Sequence, residues 1–269
     1  MKPRLENFAI VLNKPRFPEN IGSAARAARN MGISNLIVVD PENPDKEKML
    51  YLATRIGTEL IESMKTYDTL REAVANFNYV VGTTARTGGI RRAIKLPRSL
   101  APYLARLSEK NCIALVFGSE DRGLTNDEIR LCHTIVTIPT TEHSSVNLAH
   151  AVMILCYEIF MTDIPVNDAP VPKLADSRDI EAMYDHLKQI LVEIDFIKDD
   201  NPDYWMMNIR RAFARTHLTS KDVATVRGIC RQIEWRINKN PKSETNSNGQ
   251  NTKFETKELK CWRFKKGRG

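Results

Sequence analysis

The chain has 269 residues, of which 42% are hydrophobic and 27% charged, with a formal net charge of +7. That is enough for one sizeable α/β domain with a smaller unit beside it. No run of ~18 apolar residues is present, and Met1–Asn7 lacks the pattern of a secretory leader, so a cytoplasmic protein without a membrane partner is expected.

The five cysteines form no C-x-x-C pair and are odd in number, so they are read as separate reduced thiols. No metal is expected. The charge is unevenly placed. Residues 239–269 carry nine Lys/Arg and three Asp/Glu, a net +6, whereas the first 238 residues supply only +1. A basic tail on a near-neutral body points to contact with a polyanion.

Residues 8–12 (FAIVL) read as a strand apolar at every position, the pattern of a strand covered on both faces. Helical stretches follow at Ile21–Met31, with 36–39 (LIVV) as the next strand, then at Lys46–Ile61 and Thr66–Asn76. Strands recur at 79–83 (YVVGT), 113–117 (IALVF) and 134–138 (TIVTI), with a short helix at Asn126–Cys132 before the last. Asn147–Met161 reads as a strongly apolar helix. The alternation predicts an α/β class with a mostly parallel sheet.

Pro165, Pro170 and Pro172 then mark a linker over 163–177. Three helices are expected beyond it: Ser177 to about Ile197, Asn201-Pro202 to about Arg215, and Lys221–Ile237. Their charges segregate. Residues 179–203 hold eight acids and two lysines, and residues 210–236 hold seven Lys/Arg and two acids. Residues 239–269 have the composition of a disordered tail.

Three segments stand at predicted strand ends, where open α/β sheets bind ligands. The first is Pro18-Glu19-Asn20-Ile21-Gly22-Ser23-Ala24-Ala25-Arg26. Here Asn20 reads as a helix N-cap, Gly22 permits close backbone approach, and Arg26 lies one turn beyond Gly22 with a guanidinium suited to phosphate. The second is Phe117-Gly118-Ser119-Glu120-Asp121-Arg122-Gly123-Leu124, a charged loop between two glycines. The third runs from Ile138-Pro139 through Thr140, Thr141, Glu142, His143, Ser144, Ser145 and Val146 to Asn147-Leu148-Ala149-His150, a hydroxyl-rich loop opening onto the apolar helix. His143 and His150 read as a loop residue and a helix-surface residue. Neither a G-x-G-x-x-G fingerprint after a strand nor a P-loop occurs, which argues against a nicotinamide-dependent Rossmann enzyme.

Taken in order, N-x-G-x-x-x-R, G-x-E-x-x-G-L and I-P…S-S-x-N-L-A resemble the three motifs of the SPOUT superfamily of RNA methyltransferases, over residues of about 5–160. The TrmH-like branch fits best, and within it the TrmJ-type tRNA methyltransferases. Gly82-Thr83-Thr84-Ala85-Arg86 supports that narrower likeness. So do Met183-Tyr184-Asp185-His186-Leu187 with Asp195-Phe196, and Arg210-Arg211-Ala212-Phe213-Ala214-Arg215.

The resemblance implies a SPOUT fold: a mostly parallel sheet with a C-terminal trefoil knot, followed by a small all-helical domain. The expected boundaries are 1–162 for the catalytic unit, 163–177 for the linker, 178–238 for a helical RNA-binding unit and 239–269 for the tail. It implies S-adenosylmethionine as cofactor, held by Thr83, Thr84, Ala85, Gly118, Ile138, Ser144, Ser145, Val146 and Leu148. It implies a homodimer in which Arg26 completes the partner's site beside the RNA phosphate. Asn20, Arg26, Glu120 and Ser145 are the expected catalytic set. Glu120 is to brace the loop or hold Arg26, and Ser145 and Asn147 are to order the third loop. Arg26, Arg86, Arg210, Arg211 and Arg215 are expected on RNA, with Arg227 and Arg231 as further phosphate contacts. The expected reaction is 2′-O-methylation of tRNA at nucleotide 32. The sequence leaves open a ribosomal RNA substrate, another tRNA position, or an RNA-binding protein that has lost catalysis.

Overall fold

The computed structural model describes residues 2–86, 94–141, 146–163, 170–197, 201–213 and 216–239. Ser144, Ser145, His143, Arg215 and the tail from residue 240 lie outside the described residues, as do 87–93, 142–145 and 164–169.

The chain builds β1 (Phe8–Asn13), α1 (Pro18–Asn30), β2 (Asn35–Val39), α2 (Lys46–Ser63), β3 (Lys65–Tyr67), α3 (Leu70–Val74), β4 (Tyr79–Thr83), β5 (Ile94–Lys95), α4 (Pro97–Leu107), β6 (Ile113–Phe117), α5 (Asn126–Arg130), β7 (Thr134–Val136) and α6 (Leu148–Met161). The strands form one sheet in the order β3-β2-β1-β6-β4-β7-β5, and every pairing is parallel. Burial explains their unbroken apolar runs. Phe8, Ile10 and Leu12 enter the core under α1, α2, α4 and α6, while Ala9 and Val11 enter a second core under α3 and α5. Successive strand residues face opposite sides, so a strand covered twice must be apolar throughout.

The helical stretch expected over Thr66–Asn76 is divided. Lys65–Tyr67 extends the sheet beside β2, and Thr69 caps a helix of one and a half turns by accepting from the Glu72 amide at 3.3 Å. β5 and α4 were not anticipated.

The expected linker is a packed strap over its described part. Asn111, fully buried, donates to the Pro172 carbonyl at 3.0 Å and accepts from the Leu174 amide at 2.9 Å. Asn78 donates to the Leu174 carbonyl at 3.1 Å, and Val171 and Leu174 are buried in the α/β core. Each asparagine offers a donor and an acceptor, so the strap keeps its peptide groups satisfied without a strand of its own.

The strap leads into α7 (Ser177–Glu193), α8 (Pro202–Phe213) and α9 (Ser220–Lys239), which enclose a third core of Ala175, Ile180, Met183, Tyr184, Ile197, Met206, Leu218 and Val223. α7 is capped by Asp176, whose side chain accepts from the Asp179 amide at 2.9 Å. The Leu174–Thr219 bridge sets the starts of α7 and α9 side by side. Arg71 of α3 reaches Glu181 of α7 at 2.9 Å. Tyr79 packs against Tyr103, His133 and His217 at ring-centre distances of 5.6, 5.1 and 5.8 Å, joining β4, α4 and the residue that precedes β7 to the α8–α9 connection.

Candidate active site

β1, β6, β4 and β7 are neighbours in the sheet, so the segments that follow them meet at one carboxyl edge. The loop after β6 is shaped by its two glycines. Gly123 has φ +65°, and a Cβ on Gly118 would stand 2.2 Å from the Gly123 carbonyl carbon, so neither position accepts a side chain without moving the loop. The Gly123 amide donates to the Ser119 carbonyl at 2.8 Å and closes the turn.

That turn aims Glu120 across the edge. Its carboxylate accepts from the Asn20 amide group at 2.7 Å and from the Arg16 backbone amide at 2.9 Å. Asn147 donates to the Asn20 side-chain oxygen at 3.0 Å, and its own oxygen caps α6 through the Ala149 amide at 2.9 Å. One chain of hydrogen bonds, Glu120–Asn20–Asn147, therefore ties all three segments together. The carboxylate makes it strong, because hydrogen bonds to charged groups are worth about 1.5–3 kcal/mol each.

Two local expectations are corrected. Asn20 is not the N-cap: α1 begins at Pro18, with Phe17 in the cap position. Proline is suited to that first position, where its missing N–H costs nothing, and Asn20, in the first turn, is free to bond Glu120. Gly22 makes a close approach to another helix rather than opening a ligand surface, since a Cβ there would lie 2.1 Å from the Met49 carbonyl oxygen of α2.

Within one chain Glu120 and Arg26 do not meet. Arg26 stands exposed on α1, and no described residue engages its side chain in a hydrogen bond or ion pair. Six residues beyond Asn20, it sits about 9 Å further along the helix axis. The arginine beside Glu120 is Arg16, which the motif pattern missed. Its guanidinium meets Glu42 at 2.9 Å and Asp121 at 3.6 Å. The Ser119 hydroxyl, with Arg16 and Arg122 alongside, holds Asp121 below the usual carboxylate range. Arg86 reaches the Arg122 carbonyl and so links the β4 and β6 loops.

Thr83, Thr84 and Ala85 continue from β4, Gly118 follows β6, Ile138 lies just beyond β7, and Val146 and Leu148 flank the α6 cap. The Thr84 amide donates to Val136 at 3.0 Å and the Thr83 hydroxyl to the Val116 carbonyl at 3.1 Å, which fixes these ends against one another. The Leu148 side chain belongs to the core, which leaves its backbone for a ligand. This is a set of peptide donors and acceptors beside Ile138 and Val146. Among the described residues no His/Cys/Asp/Glu group is arranged to hold a metal ion.

Arg210 is also placed differently from expectation. Its guanidinium forks onto Glu181 at 2.5 and 2.8 Å and lies 4.2 Å from the Tyr184 ring centre, inside the helical unit. Glu181 is almost fully buried and needs that cation, so Arg210 is a structural residue rather than a free phosphate contact. Arg211 is exposed.

Comparison with known proteins accords with this architecture. Residues 7–157 match the SpoU rRNA methylase family, and residues 178–244 match the C-terminal domain of the tRNA methyltransferase TrmJ. The chain belongs to the SpoU methylase family, in its TrmJ group. It is 37% identical to the tRNA (cytidine/uridine-2′-O-)-methyltransferase TrmJ of Yersinia enterocolitica over 239 residues, covering 86% of this chain and 92% of that protein. It is 35% identical to TrmJ of Cronobacter sakazakii, covering 88% of this chain and all of the relative. Among solved structures, TrmJ from Zymomonas mobilis ZM4 superposes with a TM-score of 0.72 at 29% identity, covering 84% of this chain and 98% of that one. A methylase family protein from Haemophilus influenzae Rd KW20 gives a TM-score of 0.56 at 30% identity, covering 87% and 98%. Within the described residues no helix is long and apolar enough to cross a membrane.

Proposed function

We propose that this protein transfers the methyl group of S-adenosylmethionine to a ribose 2′-oxygen of tRNA, at nucleotide 32 of the anticodon loop. The observation that carries the reading is the Glu120–Asn20–Asn147 chain, which gathers three motif segments at the carboxyl ends of adjacent strands. The relatives' names supply the substrate class, a cytidine or uridine ribose in tRNA. The TrmJ-type resemblance supplies the nucleotide. The family description of residues 7–157 names rRNA, so ribosomal RNA is the substrate to test beside tRNA.

The donor set at the strand ends fits the cofactor's adenine. Peptide groups of Thr83, Thr84, Ala85, Gly118, Ile138, Val146 and Leu148 would hold its edge, with Ser144 and Ser145 from the third loop. When bound, the cofactor supplies an electrophilic methyl group. The work left to the protein is to bring the ribose oxygen to ~3 Å from that methyl group and in line with it. Glu120 and Asn20 fix the two loops that define the approach. Arg26 stabilises the negative charge that grows on the ribose oxygen and on the neighbouring phosphate. It does not remove the proton, because a guanidinium with pKa above ~12 is a poor base, and the proton leaves to phosphate or water.

Arg26 acts in the partner's site of a homodimer. It stands clear of its own chain's Glu120–Asn20–Asn147 network. α6 exposes Tyr157, Phe160 and Met161 and offers an apolar surface for a second copy. Methyl transfer to tRNA by Arg26→Lys and Arg26→Ala tests this role. Both variants are expected to bind the cofactor normally and to lose rate, because lysine cannot make the planar two-point contact. Wild-type rate in Arg26→Lys would exclude the two-point contact.

A further inference from the structure

We propose that the outer face of α9 binds an unpaired segment of the RNA substrate, with Trp235 stacking on a base and the cations around it on the flanking phosphates. This inference rests on the reading of the protein as a tRNA-modifying enzyme and assigns chemistry to a surface that reading does not specify.

α9 buries one face. Val223 and Cys230 are buried, and Glu234 faces His186 of α7 at 3.7 Å. Lys221, Gly228, Trp235 and Lys239 recur at helical spacing on the opposite side, with Arg231 and Arg236 flanking them. Both acids of the helix are spent elsewhere: Glu234 on α7, and Asp222 on Thr219, accepting from its hydroxyl at 2.6 Å and its amide at 2.9 Å. The charged side chains of the outer face are thus all cations. Trp235 stands on it 51% exposed, and its one ring contact among the described residues is the Lys239 ammonium at 4.6 Å.

Gly228 adds an independent observation. A glycine inside a helix costs about 1 kcal/mol relative to alanine. Elsewhere in this chain such a glycine has an internal reason, as Gly22 does against α2. Gly228 has none: a Cβ there would meet only the Arg231 guanidinium, at 3.8 Å. The bare backbone there, two turns or about 10 Å along the same face from Trp235, leaves room for a partner to approach closely.

An occupant must therefore be anionic, carry flat π surfaces and reach a helix backbone. A single-stranded RNA segment does all three: stacking on aromatic side chains and phosphate contacts to Lys/Arg are the two parts of such recognition. An acidic protein would satisfy the cations but would not need an exposed indole flanked by them.

The test is binding of an unmodified tRNA transcript to the full chain across a salt series, without cofactor. Trp235→Ala is expected to weaken binding by about tenfold, within the ~1–3 kcal/mol of a base–aromatic stack, with an unchanged salt slope. Trp235→Phe should restore most of the loss. Lys221→Gln and Lys239→Gln should each lower the salt slope by about 1. Gly228→Leu should weaken tRNA binding while thermal stability holds or rises, a combination that a merely structural role cannot produce. Unchanged tRNA affinity in Trp235→Ala and Gly228→Leu would overturn the proposal. Loss of a dimer in those variants, with RNA affinity intact, would overturn it in favour of a protein interface. If the wild type methylates no tRNA yet Trp235→Ala still weakens binding, the enzymatic reading fails and this one stands.

Discussion

At the scale of single residues, the pattern in the sequence identified who is present at the site but not who touches whom. Asn20, Glu120 and Asn147 were visible as motif members, and all three meet. Their bonds were not legible, because they join residues 100 and 127 positions apart, a separation that no local periodicity encodes. Arg16 was missed because it lies in an irregular loop with no spacing of its own, and it is found only once the sheet brings β1 beside β6. Arg210 was misread for a related reason. A basic cluster on a helix looks solvated until a buried Glu181 faces it. The consequence for Glu120 is testable. It accepts two N–H groups as a carboxylate, and Glu120→Gln would turn an amide donor toward one of them. We expect kcat to fall about tenfold to a hundredfold, in line with ~1.5–3 kcal/mol for a charge-assisted bond. Cofactor affinity should stay within a few-fold, because the peptide groups proposed for the adenine lie outside that chain. Equal losses in both would place Glu120 on the cofactor instead.

At the scale of elements, the strands buried on both faces were the clearest signal, and five of the seven were read from it. β3 is the polar, mostly exposed Lys-Thr-Tyr and β5 is two residues long, so neither carries the apolar run that marks the others. α4 was hidden by its prolines. Pro97 sits at the first helical position, where proline is tolerated, but Pro102 lies inside the helix, where it normally signals a break. The strap was hidden by the opposite fault: its prolines and polar residues are a linker's composition, and its order comes from Asn78 and Asn111 on the α/β unit. Asn111→Ala should leave the Leu174 amide unpaired in a buried site and remove the partner of the more exposed Pro172 carbonyl. That should cost about 2 kcal/mol, within the ~1–3 kcal/mol of one buried orphaned group. In urea the helices α7–α9 should open to protease before the α/β unit does. Simultaneous cleavage of both, at wild-type stability, would show that the asparagines do not tether the strap.

At the scale of the whole molecule, the α/β unit and the helical unit are joined by charge at Arg71–Glu181 and by rings at Tyr79, Tyr103, His133 and His217. Burial, with His217 nearby, pushes His133 down to about 4, and its Nδ1 accepts from the Val80 amide at 3.1 Å, which requires the neutral ring. An unfolded histidine titrates near ~6.5, so between pH 6.5 and 4 the unfolded chain holds the extra proton. Stability from this group is complete above pH 6.5 and falls as pH drops toward 4, by on the order of 3 kcal/mol. His217 is lowered by burial and adds a loss of the same sign. His133→Asn, which keeps an acceptor for Val80, should flatten the decline over that window in denaturant titrations, and an unflattened decline would assign it to other groups. Methyl transfer to RNA by the assembled protein is tested most directly by incubating the full chain, beside Arg26→Ala, with isotope-labelled S-adenosylmethionine, unmodified tRNA transcripts and ribosomal RNA, and mapping label by nuclease digestion and mass spectrometry. The expected result is label on the ribose 2′-oxygen of tRNA nucleotide 32 with wild type and its loss with Arg26→Ala. Label confined to ribosomal RNA, or no transfer to any RNA by a protein that binds the cofactor, would contradict it.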